Sequence, residues 1–222
     1  MNKINLNLYK TFIFDCDGVL LNSNKIKSNA FYLSTLKYGL EIANEFLDYH
    51  KKNGGVSRYE KYNYLTNHLM PKYNLSINNE EKKNLINLYS ETVLEQLLEC
   101  QIVPGLDTLR KQNPNSNWLV VSGGDQKELR KVFKYLKIVD FFNYGIFGSP
   151  CTKTEIIEKL KVENKIKKPA LFFGDSKLDH ITAESFDIKF IFLSNWTELK
   201  NWANYVKENN LETYNSLTDL VK

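Results

Sequence analysis

The sequence predicts an α/β fold: a doubly wound, Rossmann-like parallel sheet with a helical segment inserted after its first strand. Short apolar runs, each ending in a polar or small residue, recur along the chain as buried parallel strands do. Helical stretches separate the later runs, which is the rhythm of right-handed βαβ units. The first run, by contrast, precedes a long interval with no convincing strand.

The five runs lie at residues 11–15 (TFIFD), 118–122 (WLVVS), a weak 144–147, 170–175 (ALFFGD) and 189–193 (KFIFL). Helical stretches such as 126–136 and 153–161 alternate with the later ones. The interval after the first run reads as helices at 26–37, stopped at Gly39, and 42–52, stopped at Gly54-Gly55. Two more follow at 57–70, stopped at Pro71, and 80–99. In the last of these, Leu85, Leu88, Thr92 and Gln96 trace one face, with Ile86, Tyr89, Val93 and Leu97 beside it. Val103-Pro104-Gly105 marks the return to the sheet. The expected organisation is an α/β core of residues 1–20 and 100–222 and a helical insert of residues 21–99.

Bulk properties narrow the function. At 222 residues, 42% hydrophobic and 25% charged, the chain has ordinary globular composition rather than that of a disordered one. A formal charge of +4, evenly scattered, is too mild for a nucleic-acid binder and suits a small anionic substrate. Cys16, Cys100 and Cys151 are far apart and lack C-x-x-C spacing, so neither a disulfide framework nor a zinc site is indicated. The start, Met1-Asn2-Lys3-Ile4-Asn5-Leu6, lacks a signal peptide's apolar run, and no stretch approaches a membrane span. The expectation is a cytoplasmic protein, monomeric or a weak homodimer.

Ligands of open parallel sheets bind beyond the carboxyl ends of the strands. The first strand ends in Asp15-Cys16-Asp17-Gly18 and the second in Ser122-Gly123-Gly124. Lys153 follows the third, and Gly174-Asp175 ends the fourth with Asp179 shortly after. Two carboxylate pairs, a hydroxyl beside glycine amides and an ammonium are groups that bind a hard divalent cation and a phosphate. Taken singly, each has a plainer reading. A serine at a strand–helix junction is commonly a cap, and an aspartate in a first helical turn is favoured there anyway.

Asp15-Cys16-Asp17-Gly18-Val19-Leu20 resembles the signature of the haloacid dehalogenase superfamily, in its aspartate-nucleophile phosphatase branch. Ser122, Lys153 and Gly174-Asp175-Ser176-Lys177-Leu178-Asp179 fall in the order of that family's other motifs. The resemblance covers almost the whole chain and implies a magnesium-dependent phosphatase acting on a small phosphorylated metabolite through an aspartyl-phosphate. It implies that Asp15 attacks phosphorus and Asp17 moves the proton. It further implies that Ser122, Gly123 and Lys153 hold phosphoryl oxygens. Asp15, the Asp17 carbonyl, Asp175 and Asp179 would hold Mg2+, Asp179 directly or through water. Family members often carry the lysine in a Lys-Pro pair; here Lys153 follows Pro150 by three residues, with Lys159 and Lys161 as fallbacks.

Within the insert, Ser57-x-x-Glu60 reads as a capping box after a glycine turn. Gly55-Val56-Ser57-Arg58 also resembles the specificity loop of members such as β-phosphoglucomutase, which makes Arg58 a candidate substrate contact. Lys27 stands where several relatives carry a catalytic histidine, which weakens the phosphomutase alternative. The other alternative is a non-catalytic phosphometabolite-binding module, although none of the four aspartates is missing. His50, His68 and His180 lack metal-ligand spacing and read as structural. Cys16 is expected to face the core.

Overall fold

The computed structural model describes residues 4–221; residues 1–3 and 222, at the expected core's two ends, lie outside them. Six strands are present: β1 (Thr11–Phe14), β2 (Asn117–Asp125), β3 (Ile146–Ser149), β4 (Ala170–Gly174), β5 (Lys189–Leu193) and β6 (Glu212–Tyr214). They pair in parallel throughout, in the order β3-β2-β1-β4-β5-β6. Strand order therefore reverses at β1, which places the ligand-binding switch point at the carboxyl ends of β1, β2 and β4.

The strands are apolar on both faces because both faces are covered. Phe12 and Phe14 point into one core with Trp118, Val120 and Phe173, while Ile13 points into the other with Leu119 and Phe172. In the first core Phe14 stacks on Phe173 with centroids 5.0 Å apart and meets Trp118 at 4.8 Å.

The interval between β1 and β2 is helical, as expected. It holds α1 (Asn24–Thr35), α2 (Leu40–Lys52), α3 (Arg58–Tyr64), α4 (Met70–Lys72) and α5 (Asn79–Leu98). Phe31, Phe46, Tyr62 and Tyr89 pack edge-on and tilted to form its centre. The two segments crossing between insert and sheet pair with each other. Leu21 bridges Ile102, Asn22 N donates to Gln101 O (2.9 Å), and Val103 N donates to Leu20 O (2.8 Å). The remaining helices cover the sheet: α6 (Leu106–Gln112), α7 (Gln126–Tyr135), α8 (Lys153–Val162), α9 (Lys177–Ser185) and α10 (Trp202–Glu208). No helix among the described residues is long and apolar enough to cross a membrane.

Several expected boundaries move. Pro71 does not end the third helical stretch: a π turn over Leu65–Leu69 leads into α4, whose first turn accommodates the proline. The chain reverses instead at Asn74, whose φ is +57°. In α5 the buried stripe is Leu85, Tyr89, Val93 and Leu97, and Leu88 is exposed. β2 does not end at Ser122 but continues to Asp125. β6, a half-buried edge strand of three residues, carries no apolar run and was not expected.

Candidate active site

The site is assembled at the strand ends. Asp15 N donates to Phe173 O (2.9 Å), extending the β1–β4 ladder by one residue and fixing where the Asp15 side chain emerges. Asp175 follows β4, and its Oδ2 accepts from Asn24 Nδ2 at 2.7 Å. Asp179 lies in the first turn of α9. Its Oδ2 accepts from Ser176 N (3.2 Å) and Ser176 Oγ (2.6 Å), a reciprocal capping box, so the plainer helix-cap reading of Asp179 holds in full. Its other oxygen faces the site. One oxygen each of Asp15, Asp175 and Asp179 lies within 4.8 Å of the others.

Lys153 opens α8 behind a Thr152–Glu155 capping box, which sets the direction of its side chain. Its ammonium is 2.8 Å from Asp15 Oδ1 and donates to Asp179 Oδ1 at 2.5 Å. That ammonium is the polar partner of the buried Asp15 Oδ1, for which no other is found among the described residues. Burial, with Asp179 and Asp17 nearby, pushes the Asp15 carboxyl up to about 7 against the pull of Lys153. Asp175 is pushed well up by burial and by the charges of Asp15 and Asp179. Three buried carboxylates answered by one ammonium are a donor set that fits a hard divalent cation.

Gly18 permits this close assembly. Its φ is +76°, and a Cβ there would meet Asp175 Oδ2 at 2.2 Å. The Asp17 side chain is held from the start of α1. Its oxygens accept from Ser23 Oγ (2.5 Å) and Lys27 Nζ (2.6 Å). Burial acts to raise the Asp17 pKa, but the charge and hydrogen bond of Lys27, with Ser23, outweigh it and hold the group low. Asp17 is therefore a carboxylate at neutral pH, the form that accepts a proton. Cys16, between the two, is buried in the core as expected.

A cavity of about 70 Å³ lies over these groups, closed from the other side by the insert. Asp15, Asp17, Gly123, Asp175 and Arg58 line it, whereas Ser122, Lys153 and Asp179 are buried and do not. Ser122 is fully buried and its Oγ accepts from Gly124 N at 3.0 Å. Gly123 touches the insert backbone, since a Cβ there would lie 2.0 Å from Gly55 O. Ser57 caps α3 through Glu60 N (3.3 Å). Arg58, buried, is occupied: it grips both carboxylate oxygens of Glu128 and donates to Ser90 Oγ (2.7 Å), above the Tyr89 ring.

Further contacts close the insert onto the core. Asn24 reaches Asp175, Tyr59 OH donates to Asp125 Oδ2 (2.9 Å), and Lys51 pairs with Glu198 (3.4 Å). None of Asn24, Glu128, Glu198 and Lys61 was singled out from the sequence. Lys61 alone carried a signal, lying one helical turn after Arg58 and so on the same face.

The model of the haloacid dehalogenase-like hydrolase family matches residues 12–193. No curated protein matches the chain. Among solved structures, β-phosphoglucomutase from Clostridium difficile superposes with a TM-score of 0.73 at 21% identity, over 96% of this chain and 93% of that one. A predicted phosphoglycolate phosphatase from Haemophilus somnus superposes at 0.67 and 18% identity, over 92% and 100%. A hydrolase from Pseudomonas syringae does so at 0.68 and 20% identity, over 95% of each chain. At these identities the likeness is one of fold, whereas the family model spans most of the chain and its signature aspartates. The chain belongs to the haloacid dehalogenase-like hydrolase family.

Proposed function

We propose that the protein is a phosphatase that hydrolyses a small phosphomonoester through an aspartyl-phosphate on Asp15. The observation that carries this reading is Asp15 itself: a buried carboxylate at the switch point, 2.8 Å from the Lys153 ammonium and lining the cavity. The phosphatase and phosphoglucomutase names among the structural neighbours agree with phosphoryl transfer.

In this mechanism Asp15 attacks phosphorus in line with the ester oxygen, the P–O bond to the leaving alkoxide breaks, and Asp17 supplies that alkoxide with a proton. Water then attacks the aspartyl-phosphate, Asp17 takes the water's proton, and phosphate leaves with Asp15 restored. The ionised Asp17 of the free site is ready for the second half. For the first it must enter protonated, which the negative charge of an arriving phosphate favours against the hold of Lys27. Lys153, with the Ser122 hydroxyl and the Gly123 amide, would balance charge on the phosphoryl oxygens. Asp15, Asp175 and Asp179, with the Asp17 carbonyl, would hold Mg2+, which when bound neutralises charge between the Asp15 carboxylate and the phosphate dianion. Residues 21–99 would act as a cap hinged at the paired crossing segments, excluding water when closed and releasing product when open.

Purified protein with Mg2+ should release phosphate from p-nitrophenyl phosphate, and EDTA should stop it. Asp15→Asn should abolish release while the circular dichroism spectrum stays unchanged; full activity in that variant refutes the assignment. Isomerisation of a sugar phosphate without net phosphate release would instead favour a phosphomutase.

A further inference from the structure

We infer that Lys61 forms a second anion subsite in the cavity, so that the substrate is a phosphomonoester bearing a carboxylate or a second phosphoryl group. The inference rests on the phosphatase reading only for the identity of the first group.

Four lysine and arginine side chains are buried among the described residues, and three of them meet a carboxylate. Lys27 is answered by Asp17, Arg58 by Glu128, and Lys153 by Asp15 and Asp179. Lys61 is 2% exposed and lines the cavity, yet no carboxylate among the described residues pairs with it. Its ammonium lies 2.7 Å from His50 Nδ1 and 5.2 Å from the centre of the Phe31 ring. His50 brings no negative charge: burial first, and Lys61 next, hold its pKa well below the usual imidazole value, so it is a neutral acceptor. A buried ammonium answered only by an imidazole and an aromatic face is expensive to keep.

The electrostatics agree. Burial, with Lys27 and Lys153 adding to it and Asp17 and Glu198 opposing, pushes Lys61 down to about 7. A carboxylate or phosphoryl oxygen entering the cavity would restore its full charge and receive a charge-assisted hydrogen bond. Arg58, the cation that the sequence first suggests for this task, already has its charge answered by the Glu128 carboxylate. His50 from α2 instead holds Lys61 in place. Lys61 lines the same cavity as Asp15, so one bound molecule can meet both.

The test compares matched three-carbon esters: glycerol 3-phosphate, with an uncharged tail, against 3-phosphoglycerate and propane-1,3-diol bisphosphate. Wild-type protein with Mg2+ should prefer at least one anionic-tail ester by about tenfold or more in kcat/KM, the size of one charge-assisted contact. The two anionic arms distinguish a carboxylate from a second phosphate. Lys61→Met should collapse that ratio towards one, and Lys61→Arg should keep most of it, which a general loss of folding would not do. A wild-type ratio near one, or a ratio that survives in Lys61→Met, overturns the subsite. The same ratio read as dissociation constants on Asp15→Asn protein by calorimetry needs no turnover, so failure of the phosphatase reading and failure of the subsite are told apart.

Discussion

Arg58 on the insert grips both carboxylate oxygens of Glu128 on the core, 70 residues further along the chain. The Arg58 side chain is 3% exposed and that of Glu128 8%, so this fork joins two charges that have both left water. Removing one partner of such a pair typically costs about 3–5 kcal/mol, because the other is stranded. On the proposed hinge motion the insert would instead swing away and let Arg58 hydrate. Glu128→Gln should therefore open the protein rather than unfold it. The expected result is a larger radius of gyration by solution scattering and a raised KM, with the far-ultraviolet spectrum retained. An unchanged radius and KM would show that the fork does not hold the insert closed.

The raised pKa of Asp15 makes a second prediction, whose sign follows from proton counting. An acid whose folded pKa exceeds its unfolded one binds more protons when folded, so the metal-free protein loses stability as pH climbs from about 4 towards 7. A cation in the acidic cluster removes that loss, because it favours the ionised carboxylates. The increase in Tm between EDTA and Mg2+ should thus be small at pH 5 and grow through pH 7 before levelling off. A Tm increment that is flat with pH would mean that Asp15 is not part of the metal site.

These predictions draw on features that were unequally legible. The cluster of Asp15, Asp175 and Lys153 could be read because each strand end delivers its side chain locally: Asp15 after TFIF, Asp175 after ALFFG, Lys153 at a capped helix start. Given a parallel sheet, ends of neighbouring strands must converge, so no long-range information was needed. Glu128 and Lys61 are different. What Arg58 binds depends on how the insert docks on α7, and whether Lys61 has a counter-ion depends on which residues do not reach it. Neither is written in a motif. β6 escaped notice for another reason, since its three half-buried residues, Glu212, Thr213 and Tyr214, give no apolar run to mark an edge strand.

Lys27 and Asp17 offer a third prediction. Their side chains are 8% and 18% exposed and 2.6 Å apart, and Lys27 supplies the largest of the influences that keep Asp17 ionised. Lys27→Met strands the Asp17 carboxylate where burial raises its pKa. The expected loss is about 3–5 kcal/mol in denaturant unfolding, together with a strong fall in kcat. Lys27→Met combined with Asp17→Asn should recover most of the stability and none of the turnover. If the single variant is as stable as wild type, the pair is not formed in solution.

Gly123 supplies the last prediction, and it isolates the closed state from the chemistry. The sequence offered Gly123 as a donor to phosphate through its amide, a role that any residue could fill. Contact with the insert is more exacting: a Cβ on Gly123 would lie 2.0 Å from Gly55 O and 2.8 Å from Gly55 C, both backbone atoms that cannot rotate aside. Either the β2 terminus or the Gly54-Gly55 turn must shift, and the turn can do so by letting the insert rise. Gly123→Ala should then keep a near-native Tm, since the sheet core is untouched, while kcat/KM for p-nitrophenyl phosphate falls by about tenfold or more. Gly39→Ala is the control: its Cβ would meet nothing within 4 Å, and its φ of +111° puts any penalty into stability alone. Equal losses of activity in the two variants would show that general destabilisation, and not contact between Gly123 and Gly55, limits the reaction.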